Sequence, residues 1–116
     1  MDFSRFVANV IGQDSRNRFE KYDGNLDIVP YEFKPFYREY NPVDVEVASE
    51  IGDVRFCPAD DLAELQSEYA YLNAQFVFAT TNGDPIFFHE GQIYTCPHGM
   101  KEPEWEILDS IDWFFK

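Results

Sequence analysis

Between Gln75 and Cys96 the chain is apolar almost throughout, interrupted by two polar pairs. Gln75–Thr81 and Pro85–His89 are rich in Phe, Ile, Val and Thr, and Asn82-Gly83 lies between them. Both residues of Asn-Gly tolerate the positive φ of a type I′ turn, so this is a hairpin signal. Glu90-Gly91 gives a second, weaker two-residue turn into Gln92–Cys96. The resulting three-stranded meander places Phe78 with Phe87 and Tyr94 on one face, and Val77 and Ala79 with Ile86, Phe88 and Ile93 on the other. Both faces are apolar, which predicts a central piece of sheet covered on one or both sides.

Elsewhere the spacing is helical or alternating. Phe3, Phe6, Val7 and Val10 repeat at i, i+3, i+4 and i+7, predicting a short amphipathic helix capped by Asp2 and stopped at Gly12. Residues 13–27 are polar and read mostly as loop, with a helical turn near Ser15–Lys21. Phe33, Phe36, Tyr37 and Tyr40 form a second stripe; Pro35 places the helix start near Lys34, and Asn41-Pro42 its stop. Val43, Val45 and Val47 alternate with Asp44 and Glu46 as one half-wet strand, which turns at Gly52 into Val54–Cys57. Asp60 or Asp61 is expected to cap a helix reaching Ser67, with Leu62 and Leu65 inward. Pro103–Leu108 reads as a last strand. Asp109 or Ser110 then caps a closing helix bearing Ile111, Trp113 and Phe114.

These elements predict an α+β fold: a largely antiparallel sheet of five to six strands, helices at both ends and one between strands. At 116 residues, with no repeat or linker, 1–116 reads as one domain. Its core leans on rings, with 12 Phe, 7 Tyr and 2 Trp against 5 Leu, and large rings suit a small sheet-based core. Charge alters the picture more. Of a net −13, −9 falls from Phe56 onward, where Lys101 and Lys116 are the only cations. Such a chain repels nucleic acid and anionic membranes and attracts a basic partner. Acidity that merely keeps an aromatic-rich domain soluble is the competing explanation. No apolar run fits a signal peptide at Met1–Arg5, and no window reaches membrane-spanning length. With two cysteines, Cys57 and Cys96, a reducing cytoplasm is the expected location.

Candidate chemistry is sparse. Cys96-Pro97-His98 has half of a zinc spacing, but no second pair accompanies it, and Cys57 and His89 stand far off in sequence. No Gly-x-Ser-x-Gly elbow or phosphate-binding loop occurs. Asp60 and Asp61 read as helix caps. Glu102, Glu104 and Glu106 read as the solvated side of the last strand, beside buried Trp105 and Ile107. Neither group has the apolar surroundings that raise a carboxyl pKa for acid catalysis. The expectation is therefore no enzyme, no metal and no cofactor. Partner-binding candidates are the acids near the sheet: Asp60, Asp61, Glu64, Glu68, Glu90, Glu102, Glu104 and Glu106. Asn82, Gly83, Asp84 and Pro85 are assigned a structural turn.

Several runs resemble the SUKH superfamily, the Smi/Knr-like domain of fungal cell-wall regulators and many bacterial proteins. Val29–Pro42 is similar to its Pro-x-x-Tyr/Phe helix ending at Asn, and Phe56-Cys57-Pro58 precedes a helix with Leu62 and Leu65. Phe78–Phe88, Gln92-Ile93-Tyr94 and His98-Gly99 resemble its Gly-Asp hairpin, Val/Ile-Tyr strand and His-Gly turn. Ser110–Phe115 resembles its closing helix. Pro42 stands where many members carry glycines, so a different loop is expected there. The resemblance implies an α+β fold without known catalytic residues. For bacterial members it implies an immunity protein that binds and neutralises a toxin, often a nuclease. Fungal relatives imply an interaction scaffold instead. A small-molecule sensor with a pocket beside the aromatic sheet is a third class.

Overall fold

The structure, a computed structural model, describes residues 3–110. Helix α1 (Ser4–Gln13) leads into a short strand β1 (Arg18–Glu20), then helix α2 (Lys34–Glu39) and strand β2 (Asn41–Asp44). Strands β3 (Glu46–Ser49) and β4 (Gly52–Phe56) precede a 3-10 turn at Ala59–Asp61 and helix α3 (Leu62–Glu68). Another 3-10 turn, Ala70–Leu72, leads to β5 (Phe76–Thr81), β6 (Asp84–His89), β7 (Gln92–Thr95) and β8 (Glu106–Ser110). Strands β3 to β8 form one antiparallel sheet in chain order, and β1 pairs with β2 beside it. The fold is α+β, as the sequence predicts. The sheet curls: Val47 from one edge strand and Leu108 from the other line a single groove of about 350 Å³ over Phe6 and Phe56.

Both sheet faces are covered. On the first, Phe3, Phe6, Val7 and Val10 of the α1 region and Phe33, Phe36 and Tyr37 of the α2 region pack on Phe56, Phe76, Phe78, Ile86, Phe88 and Ile93. On the second, Leu65, Tyr69 and Leu72 pack on Val77, Phe87, Tyr94 and Cys96, with Trp105 closing the far side. Phe78 and Val77 thus lie on the faces opposite to those expected. The cause is a β-bulge. Val77 pairs with Phe87 and Ala79 with Ile86, so the register shifts at Phe78, and Phe78 and Ala79 share the first face. The bulged carbonyl of Phe78 accepts the Cys57 N–H at 2.9 Å, where β4 leaves the sheet.

One residue earlier in β5, a side chain replaces the missing strand. The Gln66 amide donates to the Val77 carbonyl at 2.6 Å and accepts the Val77 N–H at 2.8 Å, fastening α3 to the sheet. Asn17 does the same for β3, accepting from the Glu46 N–H and donating to its carbonyl, and it donates also to the Val10 carbonyl. Gln13 accepts the Ala48 N–H on the same edge. Buried backbone groups need such partners wherever the ladder ends.

Other expectations shift locally. Residues 18–20 form β1, not a helical turn, because pairing with β2 satisfies their backbone. Pro42 sits inside β2 opposite Phe19, and the valine run breaks at fully buried Val45 into two strands of different sheets. Helix α1 passes through Gly12 and ends at Gln13. Asp61 occupies the start of α3 but makes no side-chain cap, and the Asp60 carboxylate accepts the Tyr22 hydroxyl instead. Asp109 and Ser110 belong to strand β8 rather than to the start of a helix. The expected cap Asp2 and the closing helix with Ile111, Trp113 and Phe114 lie outside the described residues.

Both hairpin turns take the conformation their residues encode. Asn82 and Gly83 have φ of 51° and 86°, and Glu90 and Gly91 have 49° and 83°. A Cβ on Gly83 would also meet the His98 imidazole at 3.3 Å, whereas one on Gly91 would meet nothing within 4 Å. Gly83→Val is therefore expected to lower stability by about 1–3 kcal/mol, and Gly91→Ala by less. Equal thermal melts for the two variants would show that the His98 contact adds nothing to the backbone strain.

Candidate functional site

The turn residues Asn82, Gly83, Asp84 and Pro85 do more than reverse the chain. One Asp84 carboxylate oxygen lies 2.9 Å from the His98 backbone nitrogen and 2.6 Å from its ring Nδ1, tying the 97–101 loop to the hairpin. A carboxylate can only accept, so Nδ1 carries the proton, and in the corresponding neutral tautomer Nε2 is the acceptor. The Tyr69 hydroxyl donates to the Gly83 carbonyl at 2.6 Å, and burial raises its phenol pKa, which keeps it protonated in this role. The Pro85 carbonyl accepts the Thr95 hydroxyl. Between this turn, the 97–101 loop and the end of α3 opens a cavity of about 530 Å³.

The eight candidate acids are all exposed, and they fall in separate places. Asp61 and Glu64 lie near Cys57, and Asp60 is turned toward Tyr22. Glu68, at the end of α3, lines the cavity. Glu90 adjoins His89 of one aromatic cluster in sequence, Glu104 adjoins its Trp105, and Glu106, paired with Thr95, alternates to the opposite side of β8 from Ile107. Trp105, between the two latter in sequence, stands 4.8 Å from the Phe87 ring, 5.1 Å from His89 and 5.4 Å from Tyr94. The His89 Nε2 is in turn 3.9 Å from a Glu90 carboxylate oxygen. Glu102 sits in the loop that leads to this cluster.

Trp105 and Ile107 are not buried as the sequence predicts. Trp105 is half-buried and Ile107 is 58% exposed, while Leu108 turns toward the first face. The pairing slips between Ile93 and Tyr94, so that Tyr94 meets Ile107 and Ile93 meets Asp109. The second face therefore presents Tyr94, Trp105 and Ile107 at its rim, with His89 beneath and Nδ1 of that ring buried without a hydrogen-bond partner among the described residues. Aromatic anchors inside a charged rim are the anatomy of a protein-binding surface. Alternation alone conceals it, because it assigns Ile107 inward.

Both cysteines are free and lie on opposite faces, Cys57 against the first core and Cys96 in the second. Cys96 is buried while His98 is exposed, and among the described residues no three His, Cys, Asp or Glu side chains gather as a metal site. Burial, with Asp61 and Glu64 nearby, pushes the Cys57 thiol up to about 12. Burial also lifts the Tyr37 phenol, whose hydroxyl donates to the Cys57 carbonyl. Both groups are neutral in the folded state, with pKa values above their unfolded ones. Both contributions are lost as pH rises, and that of the Cys57 thiol is complete below about pH 9 and lost as pH climbs toward about 12. The urea midpoint is expected to fall across that window, and Cys57→Ala to flatten part of the fall. An unchanged slope in Cys57→Ala would remove the thiol from this account.

No protein-family model, curated protein or solved structure matches the chain. Among the described residues no helix is long and apolar enough to cross a membrane.

Proposed function

We propose that this chain is a non-enzymatic protein-binding domain that engages a basic partner through the acidic, aromatic-rimmed second face. Cytoplasmic neutralisation of a toxin, such as a basic nuclease, is the role this reading favours. The observation that carries it is the Tyr94–Trp105–Ile107 cluster at the rim of the second face, with exposed Glu90 and Glu104 next in sequence to His89 and Trp105 and with Lys101 the only Lys or Arg in residues 56–110. Nucleases that grip phosphates are basic, so an acidic surface can occupy theirs by charge complementarity. The cations of residues 1–55 belong to α1, β1, α2, β4 and the loops between them, away from this cluster. The domain performs no chemistry in this role; it binds and blocks.

The test is capture of the partner from the native host, followed by binding at low and high salt. Simultaneous Glu90→Lys, Glu104→Lys and Glu106→Lys is expected to slow association at least tenfold at low salt and to leave the melting temperature nearly unchanged. A recovered partner that is acidic, or binding indifferent to salt, would overturn the proposal.

A further inference from the structure

The cavity beside the Asn82–Pro85 turn has a chemistry of its own. Its walls are acceptors and rings: the Glu68 carboxylate, the His98 ring whose Nδ1 is committed to Asp84, and Tyr71, which is 44% exposed. Met100, 51% exposed, supplies an apolar flank. Among the described residues the one cation in the lining is Lys101, an exposed residue of the 97–101 loop. We propose that this cavity receives an arginine side chain of the partner. The guanidinium stacks on Tyr71 and donates to Glu68 and to Nε2 of His98, and its methylene stem lies along Met100. The inference rests on the basic-partner reading above and adds to it the residue type the partner inserts.

Three physical points select arginine. Ring faces attract cations, and a planar guanidinium both stacks and donates several hydrogen bonds at once. An ammonium fills fewer acceptors, and an anion would meet the Glu68 carboxylate. A purely apolar group would bury the Glu68 carboxylate without a partner, which costs more than the contact returns. Lys101 has a specific role in this arrangement. As the resident cation of the lining it competes weakly for the same acceptors, so its removal strengthens binding of an incoming arginine.

The probe is a short acetylated Gly-Arg-Gly amide, compared with the same peptide carrying norleucine, titrated into the whole chain and followed through backbone amide resonances. The arginine peptide is expected to shift Gly83, His98 and Gly99, and the norleucine peptide to leave them in place. Glu68→Gln and Tyr71→Ala are each expected to weaken the arginine peptide roughly five- to tenfold, and Lys101→Gln to strengthen it. Three results would overturn the proposal: shifts confined to the Trp105 cluster or absent, equal response to norleucine, or weakening by Lys101→Gln with strengthening by Glu68→Gln. The last identifies an anion site. These outcomes are independent of the whole partner. If the Glu90, Glu104 and Glu106 reversals abolish partner binding while Glu68→Gln leaves the peptide titration unchanged, the cavity assignment alone falls. If the captured partner is acidic and the peptide still binds as described, only the acidic-face reading falls.

Discussion

Replacing Phe33 by alanine is expected to cost about 3–5 kcal/mol of folding stability, the largest loss of any single truncation here. Phe33 is fully buried where the chain enters α2, with ring centroids 5.2, 5.0 and 5.3 Å from Phe76, Phe78 and Phe88. It therefore joins the first-face helices to two neighbouring strands at once. A domain of this size has roughly 5–15 kcal/mol in total, so the urea midpoint should fall by about a fifth or more. Tyr31→Ala, two residues away and 79% exposed, is the control and should stay within about 0.5 kcal/mol of the wild type. A Phe33→Ala midpoint no lower than that of Tyr31→Ala would mean that this ring is not in the core.

Trp105→Ala should weaken the partner complex by about 2 kcal/mol or more, close to thirtyfold in Kd, with the change in the dissociation rate. The reason is position. Trp105 lies over Phe87, His89 and Tyr94, so it is held in place before any partner arrives and loses little freedom on binding. The glutamates around it act differently, through encounter, and their reversal should appear in the association rate. Because Trp105 also packs on Phe87, its melting temperature must be measured beside its binding. Ile107→Ala supplies a variant of a 58% exposed residue that should fold normally and still dissociate faster. Dissociation unaffected by both substitutions would remove this cluster from the interface.

What the sequence discloses depends on whether a feature has a local cause. Asn82-Gly83 predicts its turn because two residues set their own backbone angles, and Pro35 fixes the start of α2 within a residue. The bulge at Phe78 has no such signal. Phe76, Val77, Phe78 and Ala79 are all apolar, so alternation reads the same in either register once both faces are covered. Strand β1 is three polar-flanked residues whose only reason to extend is a partner more than twenty positions on. The Gln66 and Asn17 bridges escape for the same reason: each is an ordinary exposed-type residue until the backbone it serves is in place. At the site, the acids are legible because charged groups stay in water. The aromatic cluster beside them is not, because one slip of the β7–β8 pairing decides that Ile107 faces out. Likewise Asp84 and His98 stand fourteen positions apart, and only the meander brings them into contact.

The amides of Asn17 and Gln13 along β3 have a consequence for how this protein ages in concentrated solution. They occupy both backbone groups of Glu46 and the N–H of Ala48, so a second chain cannot extend the sheet from that side without first expelling them. Deamidation of Asn17 would undo the seal chemically. The new carboxylate would face the carbonyls of Val10 and Glu46 with two donated hydrogen bonds lost. Release of that strand edge is then a route to fibrillar self-association that the fresh protein lacks.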